Sequence, residues 1–339
     1  MSADRMLELT MELLEGGMMS GEVKPLYKLY EELSPKETAE LIDYTIDNQK
    51  LDSWDKQVVY LYLALYSYQI GEYLPDKLYM HLMKETWDSY PEIFLRAAPQ
   101  VAEMLIDAVK TEEMRAQIMP LLSAVRTEKS AEFLAGTDHR WEDTAGGWCV
   151  EKGKIKTLYR EEVIPFEESP GTEEEDRWVP LKRIDRLCRF CRHPLTLIFN
   201  QKEPLGSCLV CSCYQTIYTR MEQGEIVWHE KNKKTEILEQ CMDRVLDGYP
   251  NPERKLRRSR EFRRITYSAS IMTDISHTQL GGLPCRFDHL DYPDCPDCGE
   301  KMIFAGQIEG QDIWEWGDGM YYFYVCENCS NGACNYDQT

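Results

Sequence analysis

Apolar residues recur three and four positions apart through residues 1–136. Examples are Leu7, Met11 and Leu14, then Leu26, Leu29, Tyr30 and Leu33, then Leu41, Tyr44 and Ile46, then Val58, Leu61 and Leu65. That period lays them along one face of successive helices, and the pattern predicts about seven short helices with brief connections. The punctuation agrees. Ser34-Pro35-Lys36-Glu37 places Ser at an N-cap, Pro at the first helical position and Glu at the third, which is a capping box. Gly71 and Pro75 break the next pair, and Pro91, Pro99 and Pro120 punctuate the rest.

Short helices in series suggest stacked hairpins of the HEAT type, each burying its stripe against the next. The stretch from Pro120 to Leu134, PLLSAVRTEKSAEFL, resembles one such hairpin: an apolar helix, a polar turn, a second helix. An irregular helical bundle is the alternative. The helix carrying Tyr60, Tyr62, Tyr66 and Tyr68 is rich in tyrosine. Such a stripe is read as packing, with a partner groove as the competing reading.

From residue 141 the period changes. WCVEKGKIKTLY alternates around Glu151-Lys152-Gly153-Lys154 and predicts a β-hairpin. ESPGTEEED follows, with four consecutive acids, Glu173 to Asp176, and reads as a solvated linker. Beyond it, strand-like runs cover Leu195–Phe199, Tyr214–Tyr218, Lys301–Ala305 and Met320–Val325.

Cysteine pairs punctuate those runs. Cys188-x2-Cys191 is followed by Cys208-x2-Cys211, and Cys295-x2-Cys298 by Cys326-x2-Cys329. Two intervening residues let a tight turn aim both thiolates at one ion, and two such turns, each at the end of a β-hairpin, close a four-sulfur site. The repeat of this arrangement predicts two zinc ribbons and two structural Zn2+ ions. Cys213 is an alternative to Cys211, and Cys334 to Cys329. His193 is a weaker substitute for a first-site ligand. A redox role for a CxxC pair needs a thioredoxin-like strand-and-helix setting, and neither pair has one. Cys149, Cys241 and Cys285 stand alone and read as buried thiols. A closed four-sulfur site has no open coordination position, so its metal supplies folding free energy rather than catalysis.

The residues around the second pair carry a resemblance. Gly281-Gly282-x-Pro284 opens the segment, Tyr292-Pro293 precedes the cysteines, and MIFAGQ (Met302 to Gln307) and GMYYFY (Gly319 to Tyr324) follow. Residues 276–329 resemble the YwqG-like family of bacterial proteins. They are also similar to the N-terminal zinc module of programmed-cell-death-protein-two-like ribosome-assembly factors. The resemblance implies binding rather than catalysis: chaperoning of a basic ribosomal protein in one branch, neighbourhood to toxin systems in the other. Many YwqG-like members lack the cysteines that the eukaryotic factors have. The double glycine itself reads as a tight turn, with a binding loop around His277, Gly281, Gly282 and Pro284 as the alternative.

Charge sharpens the functional reading. The chain has 339 residues and a formal net charge of −20, but residues 181–270 carry 18 basic and 11 acidic side chains. Residues 1–140 carry 14 basic and 25 acidic, and residues 271–339 carry 2 and 12. The acidic ends repel nucleic acid at long range and attract basic partners. The basic segment peaks at Arg254, Lys255, Arg257, Arg258, Arg260, Arg263 and Arg264. In helical register Leu256 and Phe262 anchor one side of it, leaving the arginines for phosphate, protein or solvent.

The six histidines are scattered, and no phosphate loop, metalloprotease helix or nucleophile elbow occurs. No stretch has the length and apolarity of a membrane span, and no secretory signal is evident, so a cytoplasmic location is expected. The reading is an α+β protein: an α-helical HEAT-like array at 1–140, a hairpin and acidic linker at 141–180, a first zinc ribbon with a basic segment at 181–270, and a second ribbon in a YwqG-like module at 271–339. The expected function is non-enzymatic capture of a basic client protein, as in toxin immunity or chaperoning. The alternative is an RNA- or ribosome-associated factor using residues 254–264.

Overall fold

The computed structural model describes residues 2–14, 26–67, 72–85, 91–136, 142–143, 147–151, 154–168, 177–180, 182–198, 205–245, 255–259, 277–285, 292–313 and 319–338. Both helices and antiparallel sheets are present, so the α+β class holds. The described residues fall into two compact units, one within 1–156 and one within 157–339.

The first unit contains α1 (Ala3–Leu14), α2 (Leu26–Glu31), α3 (Pro35–Asp47), α4 (Ser53–Tyr66), α5 (Asp76–Glu85), a 3-10 segment at Pro91–Arg96, α6 (Gln100–Ala108), α7 (Glu112–Val125) and α8 (Glu128–Ala135). The expected capping box forms: the Ser34 hydroxyl accepts from the Glu37 N–H, and the Glu37 carboxylate accepts from the Ser34 N–H at 2.9 Å. Asp52 and Asp55 make an equivalent box at the start of α4. Every residue of α4 from Val58 to Tyr66 is buried, including Tyr60, Tyr62 and Tyr66, so the tyrosine stripe is core. A helix apolar all round belongs in an interior. Tyr68 lies outside the described residues. Pro120 does not end a helix as expected; it sits inside α7. The helix–turn–helix predicted over 120–134 forms as α7 and α8, turning at Arg126 in the left-handed region with φ 54°.

A three-stranded sheet follows, built from β1 (Glu142–Asp143), β2 (Trp148–Glu151) and β3 (Lys154–Thr157). The predicted hairpin is its β2–β3 pair. Trp148 is fully buried and donates its indole N–H to the Ser123 carbonyl at 2.8 Å, which ties β2 to α7. The acidic linker at 169–176 lies outside the described residues.

The second unit is organised by a nine-stranded sheet. Its members are β4 (Ile164–Glu168), β5 (Arg177–Pro180), β9 (Ile217–Glu222), β10 (Glu225–Trp228), β11 (Lys255–Arg258), β12 (Gln279–Leu280), β13 (Ile303–Glu309), β14 (Gly319–Val325) and β15 (Asn331–Gln338), in the order β10-β9-β15-β14-β13-β12-β4-β11-β5. A smaller sheet, β6 (Lys182–Leu187), β7 (Pro194–Ile198) and β8 (Leu205–Ser207), has the order β6-β7-β8. Two short helices complete the unit: α9 (Leu209–Ser212) and α10 (Glu236–Val245). The aromatic run of β14 is buried from Gly319 to Tyr324, as expected of a central strand covered on both faces. Leu205, Leu209 and Ile198 pack on one of those faces with Tyr321, Phe323 and Leu256. The β9–β10 hairpin turns through Gln223 and Gly224, both at positive φ, as a two-residue turn between right-twisted strands requires.

Two sequence expectations change here. The segments 181–270 and 271–339 do not form separate ribbons: β9 pairs with β15, with Cys334 opposite Ile217, so both contribute to one sheet. The basic segment is not helical over its described part. Lys255–Arg258 is strand β11, paired on one side with β4 and on the other with β5. Leu256 is buried in the core, Arg257 is half-buried, and Arg258 is exposed. The alternation of a strand satisfies one inward residue between outward charges as well as a helix does, and pairing on both edges decides between them.

Candidate metal centres

Four-cysteine clusters form at both predicted places. Cys188, Cys191, Cys208 and Cys211 lie with their sulfurs within 4.8 Å of one another, as do Cys295, Cys298, Cys326 and Cys329. The Cys188–Cys211 and Cys191–Cys208 sulfurs are 3.7 and 3.4 Å apart, and Cys298–Cys326 are 3.7 Å apart. A tetrahedron of thiolates about 2.3 Å from a zinc ion has edges of about 3.8 Å, so both clusters fit such an ion. His193 is in neither cluster.

Three of the four cysteine pairs sit on turns of one design. In each, the first cysteine's N–H donates to the carbonyl five residues on: Cys188 to His193, Cys295 to Glu300 and Cys326 to Asn331, all at 2.8 Å. In each, the residue after the second cysteine is left-handed: Arg192 at φ 67°, Gly299 at φ 73° and Ser330 at φ 53°. The first turn joins β6 to β7, and the third joins β14 to β15. The pair Cys208 and Cys211 departs from the expected hairpin. It lies where β8 runs into α9, with Cys208 as N-cap, its sulfur accepting from the Cys211 N–H at 3.4 Å. The strand after it begins at Ile217 rather than Tyr214.

The thiols of Cys188, Cys191 and Cys295 are drawn down, while those of their cluster partners Cys208, Cys211, Cys326 and Cys329 are pushed up. The Cys188 sulfur accepts from the Phe190 N–H at 3.3 Å, and the Cys295 sulfur from the Asn331 side-chain amide at 3.3 Å. Burial opposes charge on Cys295, yet the Cys298 N–H, the Asn331 amide and the Asp297 N–H draw it down to about 7. In the first cluster, hydrogen bonds from Cys188, Cys208 and Cys211 hold the Cys191 thiol far below its usual value. The first cluster is buried throughout; in the second, Cys298 is exposed and Cys329 half-buried.

The spare thiols face elsewhere. Cys334 is fully buried in the core beside Phe323 and Tyr321. Cys213 lies 3.2 Å from the Tyr321 hydroxyl, and burial pushes its thiol up to about 11. We therefore expect Cys213→Ala to retain two metal ions per chain, at a stability cost of about 1 kcal/mol for the lost contact. Colorimetric metal release after denaturation checks this.

The two centres are bridged. Asp297, between Cys295 and Cys298, accepts from Arg220 and Asn331, each at 2.9 Å, and lies 3.4 Å from His229 and 3.3 Å from Lys231. Its carboxyl is held far below the usual range, by the Asn331 amide first and then by Lys231, His229 and Arg220. Arg220, His229 and Lys231 come from the β9–β10 hairpin and the loop after it, which adjoin the first centre. Spacing alone does not reveal this clamp, because Asp297 lies 34 residues from Asn331 and 68 and 77 residues from His229 and Arg220.

The double glycine forms a tight, hydrogen-bonded loop. Gly281 and Gly282 both have positive φ, and their N–H groups donate to Ala305 and Arg160 at 2.9 and 2.7 Å. Two buried glutamines hold the surrounding backbone. Gln307 accepts from the Cys285 N–H and donates to the His277 carbonyl, both at 2.7 Å; Gln279 donates to the Gly281 and Leu283 carbonyls. Pro284 continues that turn. His277 is buried 3.5 Å from Glu309; burial opposes its charge, but Cys285 and Glu309 outweigh burial and push it up to about 10. Of the basic residues singled out, the structure places Lys255, Arg257 and Arg258 on β11; Arg254, Arg260, Arg263 and Arg264 lie outside the described residues.

Across the described residues no helix is long and apolar enough to cross a membrane. No family model matches the chain, and no solved structure matches it. The uncharacterized protein YpfL of Salmonella typhimurium is 27% identical over 349 residues, an alignment covering 93% of this chain and 80% of that protein.

Proposed function

We propose that this protein is a non-enzymatic, cytoplasmic binding factor whose two four-cysteine centres hold structural zinc and whose acidic surface captures a basic client protein. The observation that carries the reading is the pair of four-cysteine clusters, each of which offers a full tetrahedral donor set to one ion. Such centres stabilise a scaffold and leave function to surfaces. The helical residues 1–140, with 25 acidic against 14 basic side chains, supply the complementary surface for a basic partner. In this reading they act as a HEAT-like hairpin array, and the YwqG-like resemblance of residues 276–329 agrees with a toxin-neutralising or chaperone-like role. The alternative is an RNA- or ribosome-associated factor acting through residues 254–264, of which Arg258 is exposed and Arg257 half-buried on β11, a strand paired on both edges.

The test is affinity capture from host extract with and without RNase, followed by reconstitution with the purified candidate. One basic protein retained after RNase, and released by salt from the purified pair, supports client capture. Ribosomal proteins retained only without RNase overturn it in favour of the alternative.

A further inference from the structure

The first metal centre presents a basic face that the sequence pattern did not single out. Residues 182–192, KRIDRLCRFCR, contain five basic side chains and one acidic. Lys182, Arg183, Arg186, Arg189 and Arg192 are all exposed. They run along β6, the edge strand of its sheet, and into the cysteine turn that β6 feeds. A groove of about 630 Å³ lies beside β6, where Lys182, Arg183 and Arg186 meet the β9–β10 turn; Asp185 and Glu225 also line it, and Glu225 pairs with Arg186 at 2.6 Å. On the cysteine turn, Phe190 packs edge-on against Trp228 with ring centres 4.8 Å apart, and the Lys234 ammonium lies 5.8 Å from the Phe190 ring. Both rings are only half-buried. On the cysteine turn, exposed Arg189 and Arg192 thus flank a partly open aromatic ring in sequence.

Arg192 supplies an independent observation. Its φ of 67° is a conformation that glycine adopts freely and arginine does not. The equivalent positions of the second centre are Gly299, at φ 73°, and Ser330, at φ 53°. An arginine therefore occupies a backbone site where glycine is intrinsically easier, and its side chain is exposed rather than packed. A strained residue with no packing role points to use of its charge.

We propose that this face binds single-stranded nucleic acid, with Arg186, Arg189 and Arg192 on phosphates and the Phe190–Trp228 pair as a stacking surface. Phosphates match a row of exposed cations on a chain whose net charge is −20, since the local field must overcome a repulsive body and does so only at close contact. Half-open rings among those cations suit unpaired bases, which expose π-faces that a duplex hides. The site is separate from client capture by the helical residues and stands or falls without it.

The test uses the purified, zinc-loaded full chain and a fluorescein-labelled 20-nucleotide RNA of mixed sequence, followed by anisotropy across a salt series. The wild type is expected to bind saturably. The Arg189→Ala/Arg192→Gly double variant is expected to bind about tenfold more weakly, with a salt slope shallower by about 1.4, at about 0.7 per lost single-strand contact. Arg192→Gly alone is expected to bind more weakly while keeping two metal ions and a melting temperature no lower than wild type. Three outcomes would overturn the proposal. One is no saturable binding by the wild type. Another is an unchanged slope in the double variant, or a weakening that comes with lost metal or a lowered melting temperature in Arg192→Gly. The third is competition by duplex or polyglutamate equal to that by unlabelled single strand.

Discussion

Replacing Cys208 by Ser is expected to empty the first metal centre and unfold the elements around it. Metal content should fall from two ions per chain to one, read by chromophoric chelator after denaturation. The reason is the position of Cys208. It is fully buried, caps α9, and lies 3.4 Å from the Cys191 sulfur at the middle of a cluster that also contains Leu195, Ile217, Ile226 and Leu238. A serine oxygen is a poor ligand for zinc, and the remaining thiolates would then face one another without a cation. Structural zinc in small domains contributes on the order of 10–16 kcal/mol of apparent binding free energy at neutral pH. That is comparable to the about 5–15 kcal/mol by which ordinary domains are stable. A strongly reduced yield of soluble protein, with one ion per recovered chain, is therefore the expected outcome, and unchanged yield with two ions bound would refute the assignment. The intact protein should lose metal in two phases under chelator. The second centre, with Cys298 exposed, releases first, and the fully buried first centre releases later. Acidification should release both, because each thiolate must be deprotonated to bind.

Gly281→Ala is expected to destabilise the second unit by about 3–5 kcal/mol, as a backbone clash and a conformational cost act together. The new methyl carbon would lie 1.9 Å from the Glu162 carbonyl oxygen, and φ is 63°. The neighbouring backbone cannot yield readily, because Gly281 and Gly282 also donate to Ala305 and Arg160, and Gln279 and Gln307 hold the loop from the other side. Gly224→Ala is the matched control. Its φ is 83°, yet nothing lies within 4 Å of the added carbon, so only the left-handed cost of about 1–2 kcal/mol applies. Urea titration of both variants separates the two terms. Equal losses at the two positions would show that the approach of Gly281 to Glu162 is not tight in solution. A large loss at Gly281 also accounts for the Gly-Gly-x-Pro motif as a turn, with His277 and Pro284 belonging to its packing.

How far the sequence reached depends on how local each signal is. The caps at Ser34 and the helices around it involve residues within one turn, so their pattern could be read directly. The four Cys-x2-Cys pairs are equally local, since each turn closes over six residues with the same N–H to carbonyl bond in three of them. The assignment of Cys213 and Cys334 was not local. Cys211 and Cys213 are close in sequence, but only packing against Tyr321 turns Cys213 away from the metal. Pro120 misled because proline ends helices in isolation, while here α7 continues through it and packs against α6, α8 and the 3-10 segment.

The sequence by itself thus determined the four Cys-x2-Cys pairs, the order of helical and β-rich parts, the caps and the tight glycine turn. Each rests on bonds among near neighbours. Only the tertiary structure decided that β9 and β15 join both cysteine segments in one sheet, that Lys255–Arg258 is an inner strand, and that Asp297 ties the β9–β10 hairpin to the second centre. Strand partners are chosen by pairing between residues far apart in the chain, and a short alternating run does not name its neighbour. The same cause moved the exposed cations: β11 took Lys255, Arg257 and Arg258 into a sheet, while an edge strand and its cysteine turn left Arg186, Arg189 and Arg192 facing solvent.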